Sequence, residues 1–192
     1  MRLHLLGPSG SGTTTLGRAL SVRLGVPLLD ADDYFWMPTD PPFSAKRPAA
    51  ERSVLLGRDA RADGDWIVSG SMMGWGDFLI PCLELAIYLW KPAAIRRERL
   101  ERRERERFGS RIDLGGPLRR QFETFIAWAM DYDSGGEGMR SRLSEEAWMA
   151  RLACPVLRLE GEMGVEECVE RVLDALRAGG LRGLSRGRNS AR

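Results

Sequence analysis

Leu3-His4-Leu5-Leu6-Gly7-Pro8-Ser9-Gly10-Ser11-Gly12-Thr13-Thr14-Thr15-Leu16 is the stretch on which the fold turns. An apolar run gives way to a glycine-rich turn. Leu16, Ala19, Leu20 and Leu24 then recur at helical spacing. Strand, glycine loop and helix in that order are the setting in which the pattern G-x-x-x-x-G-K-[ST] cradles phosphate. Gly7, Gly12 and Thr14 stand where the pattern requires them, and Thr13 stands where its lysine should be.

The chemistry of the remaining residues suits a phosphate chain. Small side chains at Gly7, Ser9, Gly10, Ser11 and Gly12 let backbone N–H groups face one concavity. A helix that begins near Thr13 adds unpaired amides and the positive end of its dipole. Residues 7–15 are therefore the nucleotide-binding candidates, and the Thr14 hydroxyl is a candidate ligand for Mg2+. The missing lysine bears mainly on catalysis. A charge-assisted contact contributes about 1.5–3 kcal/mol, and a donor that acts in the transition state contributes roughly 10²–10³ in rate. Binding can survive the loss, whereas transfer needs another cation or is slow. The bland alternative is a plain glycine turn between strand and helix, and the flanking pattern weighs against it.

The 192 residues suit one domain with a substantial core, and 43% of them are hydrophobic. The formal net charge of +2 gives no global field for nucleic acid or an anionic membrane. Lys46 and Lys91 are the only lysines, so nearly all the positive charge is arginine. Cys82, Cys154 and Cys168 have no metal-ligand spacing and are expected to be reduced thiols. With no basic leader and no apolar run of membrane-spanning length, the expected setting is cytoplasmic. His4, the single histidine, lies in a strand pattern where packing outweighs proton transfer, so histidine triads and zinc sites are not supported.

Further along, strand patterns at 26–29, 66–68, 82–90 and 155–159 alternate with helical patterns at 49–62, 95–108, 118–132, 139–152 and 165–176. Residues 34–48 mix aromatic side chains with four prolines and are expected to form a loop. Such alternation implies an α/β protein, a parallel sheet covered on both faces in three layers. Ligands of these sheets sit beyond the carboxyl ends of the strands. The P-loop, Asp32, Ser69 and Gly161 all fall there. One domain is expected over residues 1–178, followed by a basic, disordered tail at 179–192.

Asp30 and Asp32 end the second strand pattern. Asp32 can orient and deprotonate an acceptor hydroxyl or help hold magnesium; its plain alternative is a turn or cap aspartate. The run 96–107 holds seven arginines and four glutamates, a net of only 7 − 4 = +3. Glu98 with Arg102 and Glu101 with Arg105 are spaced to pair along one helix face. Arg103, Arg107 and Arg111 lie beyond those pairs, at four-residue steps toward a glycine-containing loop. With Arg119 and Arg120, they form a candidate lid over about 103–120 that could replace the missing lysine. The Trp36 region and Trp75 are candidates for an acceptor pocket, and the acceptor-binding region is expected over about 31–65. Lys46, Arg47, Arg52 and Arg58 suggest an anionic acceptor.

Together, GPSGSGTTT at 7–15, LLDADDYFW at 28–36, WIVSG at 66–70 and RLERRERERFGSR at 99–111 resemble the P-loop small-molecule and nucleotide kinases of the adenylate kinase and shikimate kinase type. Small bacterial adenylate kinase-like or topology-modulation proteins look most similar. The resemblance implies a P-loop NTPase fold with a five-stranded parallel sheet in the order 2-3-1-4-5. It implies ATP with Mg2+ as the nucleotide, Asp32 as the acidic residue after strand two, and Arg103 and Arg111 as catalytic lid arginines. Two positions depart from the family. Thr13 replaces the lysine, and Ser69 replaces an aspartate that similar proteins often carry at the end of strand three. The leading expectation is phosphoryl transfer from ATP to a small, anionic acceptor, possibly a nucleotide. A regulatory nucleotide-binding protein without catalysis is the alternative. Nucleic-acid binding is a lesser one, since no aromatic stacking series accompanies the arginines.

Overall fold

The computed structural model describes residues 1–61 and 63–180. Five parallel strands, β1 (Arg2–Leu6), β2 (Leu28–Asp30), β3 (Trp66–Ser69), β4 (Leu85–Trp90) and β5 (Val156–Glu160), form one sheet in the order β2-β3-β1-β4-β5. The helices are α1 (Thr13–Leu24), α2 (Ala31–Phe35), α3 (Ala49–Asp59), α4 (Ala93–Phe108), α5 (Arg119–Met130), α6 (Arg142–Met149) and α7 (Val165–Ala178).

The two-residue period of the strands divides their side chains between two cores. Leu3, Leu5, Ile67, Leu85, Ile87 and Leu89 pack with Leu16 and Leu20 of α1 and Val169, Val172, Leu173 and Leu176 of α7. Leu6, Trp66, Val68, Ala86 and Tyr88 face the other way, against Leu56 of α3 and Trp148 and Met149 of α6. Helix, sheet, helix is the three-layer arrangement the alternation implied. His4 lies in the second core, edge-on to Trp148 with ring centroids 5.4 Å apart and Nδ1 3.3 Å from the Val68 carbonyl. Burial holds its pKa down at about 4, so it is a neutral packing residue at neutral pH.

Several boundaries differ from the sequence patterns for local reasons. The apolar run from Cys82 begins as the last residue of a 3-10 turn, Asp77–Cys82, and the strand starts only at Leu85. Pro81, in that turn just before the run, has no N–H to donate to a strand neighbour. Helix α6 is shorter than 139–152 because Ser141 starts it with a reciprocal cap. Its side chain accepts from the Ser144 N–H, and the Ser144 hydroxyl accepts from the Ser141 N–H. The loop expected at 34–48 opens with the last two residues of the short α2 and then closes on itself through the isolated Trp36–Lys46 bridge. The three cysteines are free thiols. Among the described residues, no helix is long and apolar enough to cross a membrane. From residue 181 onward, the expected tail lies outside the described residues.

Candidate nucleotide and acceptor site

Parallel pairing places Leu5, Ser69 and Asp30 side by side at the carboxyl ends of β1, β3 and β2. The glycine loop leaves β1 at this edge. A Cβ on Gly7 would lie 1.9 Å from the Leu89 carbonyl oxygen, and one on Gly10 would lie 2.9 Å from that of Arg96. Glycine at these two positions lets the loop press against the end of β4 and the start of α4. Gly12 caps α1 with no side-chain hydrogen bond, so the first-turn amides of Thr13, Thr14 and Thr15 have no side-chain partner. The hydroxyls of Ser11, in the loop, and Ser69, at the end of β3, are buried with no hydrogen-bond partner. A buried orphan of this kind costs about 1–3 kcal/mol. Uncapped amides and two orphan hydroxyls at one sheet edge suit a polyphosphate. Among the described residues, no group of three or more His, Cys, Asp or Glu is gathered for a metal. An Mg2+ ion bound here would therefore draw most of its ligands from phosphate and water.

Beside the loop, the carboxylate of Asp30 accepts from the Asp32 N–H at 3.2 Å and caps α2, which accounts for it structurally. Asp32 is different. Its pKa is raised, first by desolvation in the crowded strand-end environment and then by the charge of Asp30, against the pull of Arg140 and Arg103. Its side chain still reaches solvent, which screens the effect. A cavity of about 380 Å³ opens next to it, lined by Asp33, Trp36, Thr39, Phe43 and Arg47 among others. Trp75 belongs elsewhere, to a shallow groove with Ser53 and Phe78. The basic residues expected to meet an acceptor are largely occupied. Arg47 donates to the carbonyls of Tyr34 and Trp36, Arg52 donates to that of Arg47 and stacks on Phe35, and Arg58 pairs with Asp59.

Helix α4 and the turn after it carry Arg103, Arg107 and Arg111. Arg103 and Arg107 both pair with the buried Glu104, at 2.9 and 3.1 Å. Arg107 lies over the Phe43 ring at 4.6 Å, and Arg111 reaches Asp40 at 3.6 Å. The three arginines that looked unpaired in the sequence are thus engaged, two of them with an acid turned inward. The expected Glu98–Arg102 and Glu101–Arg105 pairs are replaced by Arg97–Glu101 and Arg105–Asp113. Arg119 pairs with Glu123, and Arg120 is exposed.

Two arginines that the sequence did not single out are better placed. Arg99 is half-buried with no carboxylate partner among the described residues, and its Nη1 lies 3.7 Å from where a Gly12 Cβ would be. Arg140 donates from Nη2 to the Gly7 carbonyl, the first of the loop, and from Nε to Glu145 at 2.9 Å. Glu145, fully buried, also accepts from the Tyr132 hydroxyl at 2.7 Å, which lies 3.0 Å from that of Tyr88. The charge of Arg140 acts on both Asp32 and His4. The Ser141–Ser144 cap marks Arg140 as lying ahead of the helix rather than on it, but no local signal points to its partner Gly7.

No protein-family model matches the chain. It is 47% identical over 174 residues to the uncharacterized protein YqaC of Bacillus subtilis, across 91% of this chain and 96% of that one. This chain belongs to the YqaC family. Among solved structures, this YqaC-family chain is similar to a gluconokinase from Sinorhizobium meliloti, with a TM-score of 0.57 at 15% identity over 92% of this chain and 91% of that one. It is similar to a shikimate kinase from Acinetobacter baumannii, with a TM-score of 0.54 at 16% identity over 94% and 95%. A deoxyadenosine kinase from M. mycoides gives 0.54 at 12% identity over 92% and 100%. These likenesses concern the fold, and with the strand order they make it that of the P-loop kinases.

Proposed function

We propose that this YqaC-family chain is an ATP-dependent phosphotransferase acting on the hydroxyl of a small acceptor. One observation carries the reading: an uncapped helix N-terminus after a glycine loop and the Asp32-lined cavity open at the same sheet edge. In this reading residues 7–15 hold the phosphates of ATP, and Thr14, with Asp32 directly or through water, faces Mg2+. The ion, when bound, withdraws charge from the outer phosphates. Asp32 takes the proton of the acceptor hydroxyl, whose oxygen forms the new P–O bond. The bridging P–O bond to the terminal phosphorus breaks, and its electron pair leaves with ADP. Arg103 and Arg111, within a lid of about 103–120, close on the acceptor region of about 31–65 and exclude water. Residues 1–178 act as one domain in a cytoplasmic setting, which suits three free thiols and a supply of ATP.

ADP release measured against a panel of hydroxyl metabolites, anionic ones first, tests the proposal. Turnover with one acceptor that falls about 10²-fold or more in Asp32→Asn supports it. Turnover indifferent to Asp32 removes the assigned base. A second reading, a nucleotide-binding regulator, draws on Thr13 in place of the lysine and the orphan Ser69 hydroxyl in place of a carboxylate. Tight ATP binding with no transfer to any acceptor would favour it.

A further inference from the structure

We propose that Arg140 supplies the positive charge that Thr13 does not, standing against the outermost phosphate of a bound nucleoside triphosphate, with Glu145 and Tyr132 as its positioning residues. The inference rests on the nucleotide-binding part of the function proposed above.

Four observations converge on it. Among the described residues, Arg140 is the one cationic side chain hydrogen-bonded to the backbone of the glycine loop, at its first carbonyl. Arg140 precedes the α6 cap, so it reaches the loop from the side of the sheet that carries Trp148 and Met149, opposite α1. Its orientation is set in advance. Nε is bonded to a fully buried carboxylate that is itself held by the Tyr132 hydroxyl, and preorganised donors are the effective kind. Two of its N–H groups are engaged in this way, which leaves the Nη1 side of a planar fork suited to phosphate oxygens.

The other candidates are placed for different work. Arg103 and Arg107 are engaged with Glu104, and Arg111 with Asp40, on the acceptor side. Arg99 stands by Gly12, at the start of α1, with no hydrogen bond or carboxylate among the described residues to fix its orientation. In the transfer step Arg140 donates hydrogen bonds to the oxygens of the terminal phosphoryl group. It gives up no proton and forms no covalent bond, so the balance of the reaction is unchanged.

The test compares ATP with ADP by calorimetry in the presence of Mg2+. Arg140→Met alone strands the Glu145 charge, so the principal variant is Arg140→Met with Glu145→Gln, and its thermal melt is checked against the parent. The expected result is a roughly ten- to hundredfold loss of ATP affinity with ADP affinity kept. Thr13→Lys added to that variant should recover most of the loss. Arg99→Met should weaken ATP and ADP alike, and Tyr132→Phe should lower kcat with the chosen acceptor while sparing ADP affinity. An unchanged ratio of ATP to ADP affinity, or an equal fall for both in the double variant, overturns the proposal. If the parent binds ATP yet transfers to no acceptor, only the phosphotransferase reading falls and the affinity ratio still decides Arg140. If the parent binds no nucleotide, both fall.

Discussion

Arg96 and Arg97 are neighbours in α4 with opposite fates. Arg96 turns inward. It is completely buried, donates to the carbonyls of Lys91 and Ala129 at 3.0 Å each, pairs with Asp133, and lies within 5.5 Å of the Tyr132 ring centre. Arg97 turns outward to Glu101 at 3.4 Å, with about half of each side chain in solvent. The same residue type, one position apart, is a fixed structural part in one case and an interchangeable surface charge in the other. Arg140 resembles Arg96 in being held at several atoms, and that separates it from most arginines of the run 96–107.

The contrast can be broken most forcefully at Arg96. Arg96→Met takes a donor from two carbonyls and the counter-charge from Asp133, which keeps only the Trp90 indole N–H, and a loss of about 3–5 kcal/mol in unfolding free energy is expected from urea titration. A loss near zero would erase the distinction. His4 comes next. Its folded-state pKa of about 4 lies below the ordinary 6.5, so the unfolded chain takes up a proton first as pH falls. The stabilisation is therefore complete above pH 6.5 and declines between 6.5 and 4, by about 3 kcal/mol in all. The urea midpoint followed across this range should show the decline in the parent and a flatter profile in His4→Phe.

A smaller displacement sharpens the place of Arg140. Its charge lowers the pKa of Asp32, while desolvation and Asp30 raise it. If Asp32 works as a base, activity grows as it deprotonates, so the acid limb of kcat lies above the ordinary aspartate value. Removing Arg140 should move that limb to still higher pH, and a shift to lower pH would contradict the geometry. Least is expected at Arg97→Ala, less than about 1 kcal/mol in the same urea titration and less again at high salt.

The parallel sheet was legible because β1, β3 and β4 are short apolar runs flanked by helical periodicity, whereas its order came only from the family resemblance, since strand pairing is set by contacts distant in sequence. Element limits were less legible where a single residue overrides a trend, as Pro81 does before β4 and Ser141 does at the start of α6. The charged run was harder still. Glutamate and arginine spacing fits several pairings equally well, and the inward turn of Arg96 depends on Ala129 of α5 and on Asp133 just beyond it. Arg140 was out of reach for the same reason. Its meeting with Gly7 joins positions 133 residues apart, and local pattern carries no information about that distance.

That separation has a consequence for how the protein is made. A lysine inside the loop would come off the ribosome with the loop, ready to hold an anion once the first helix formed. Here the guanidinium emerges more than a hundred residues later and is held by Glu145 of α6. In the role proposed for Arg140, discrimination for a triphosphate would begin only when the late segment docks on the first strand, and ligand capture would report that most of the chain has been synthesised and assembled.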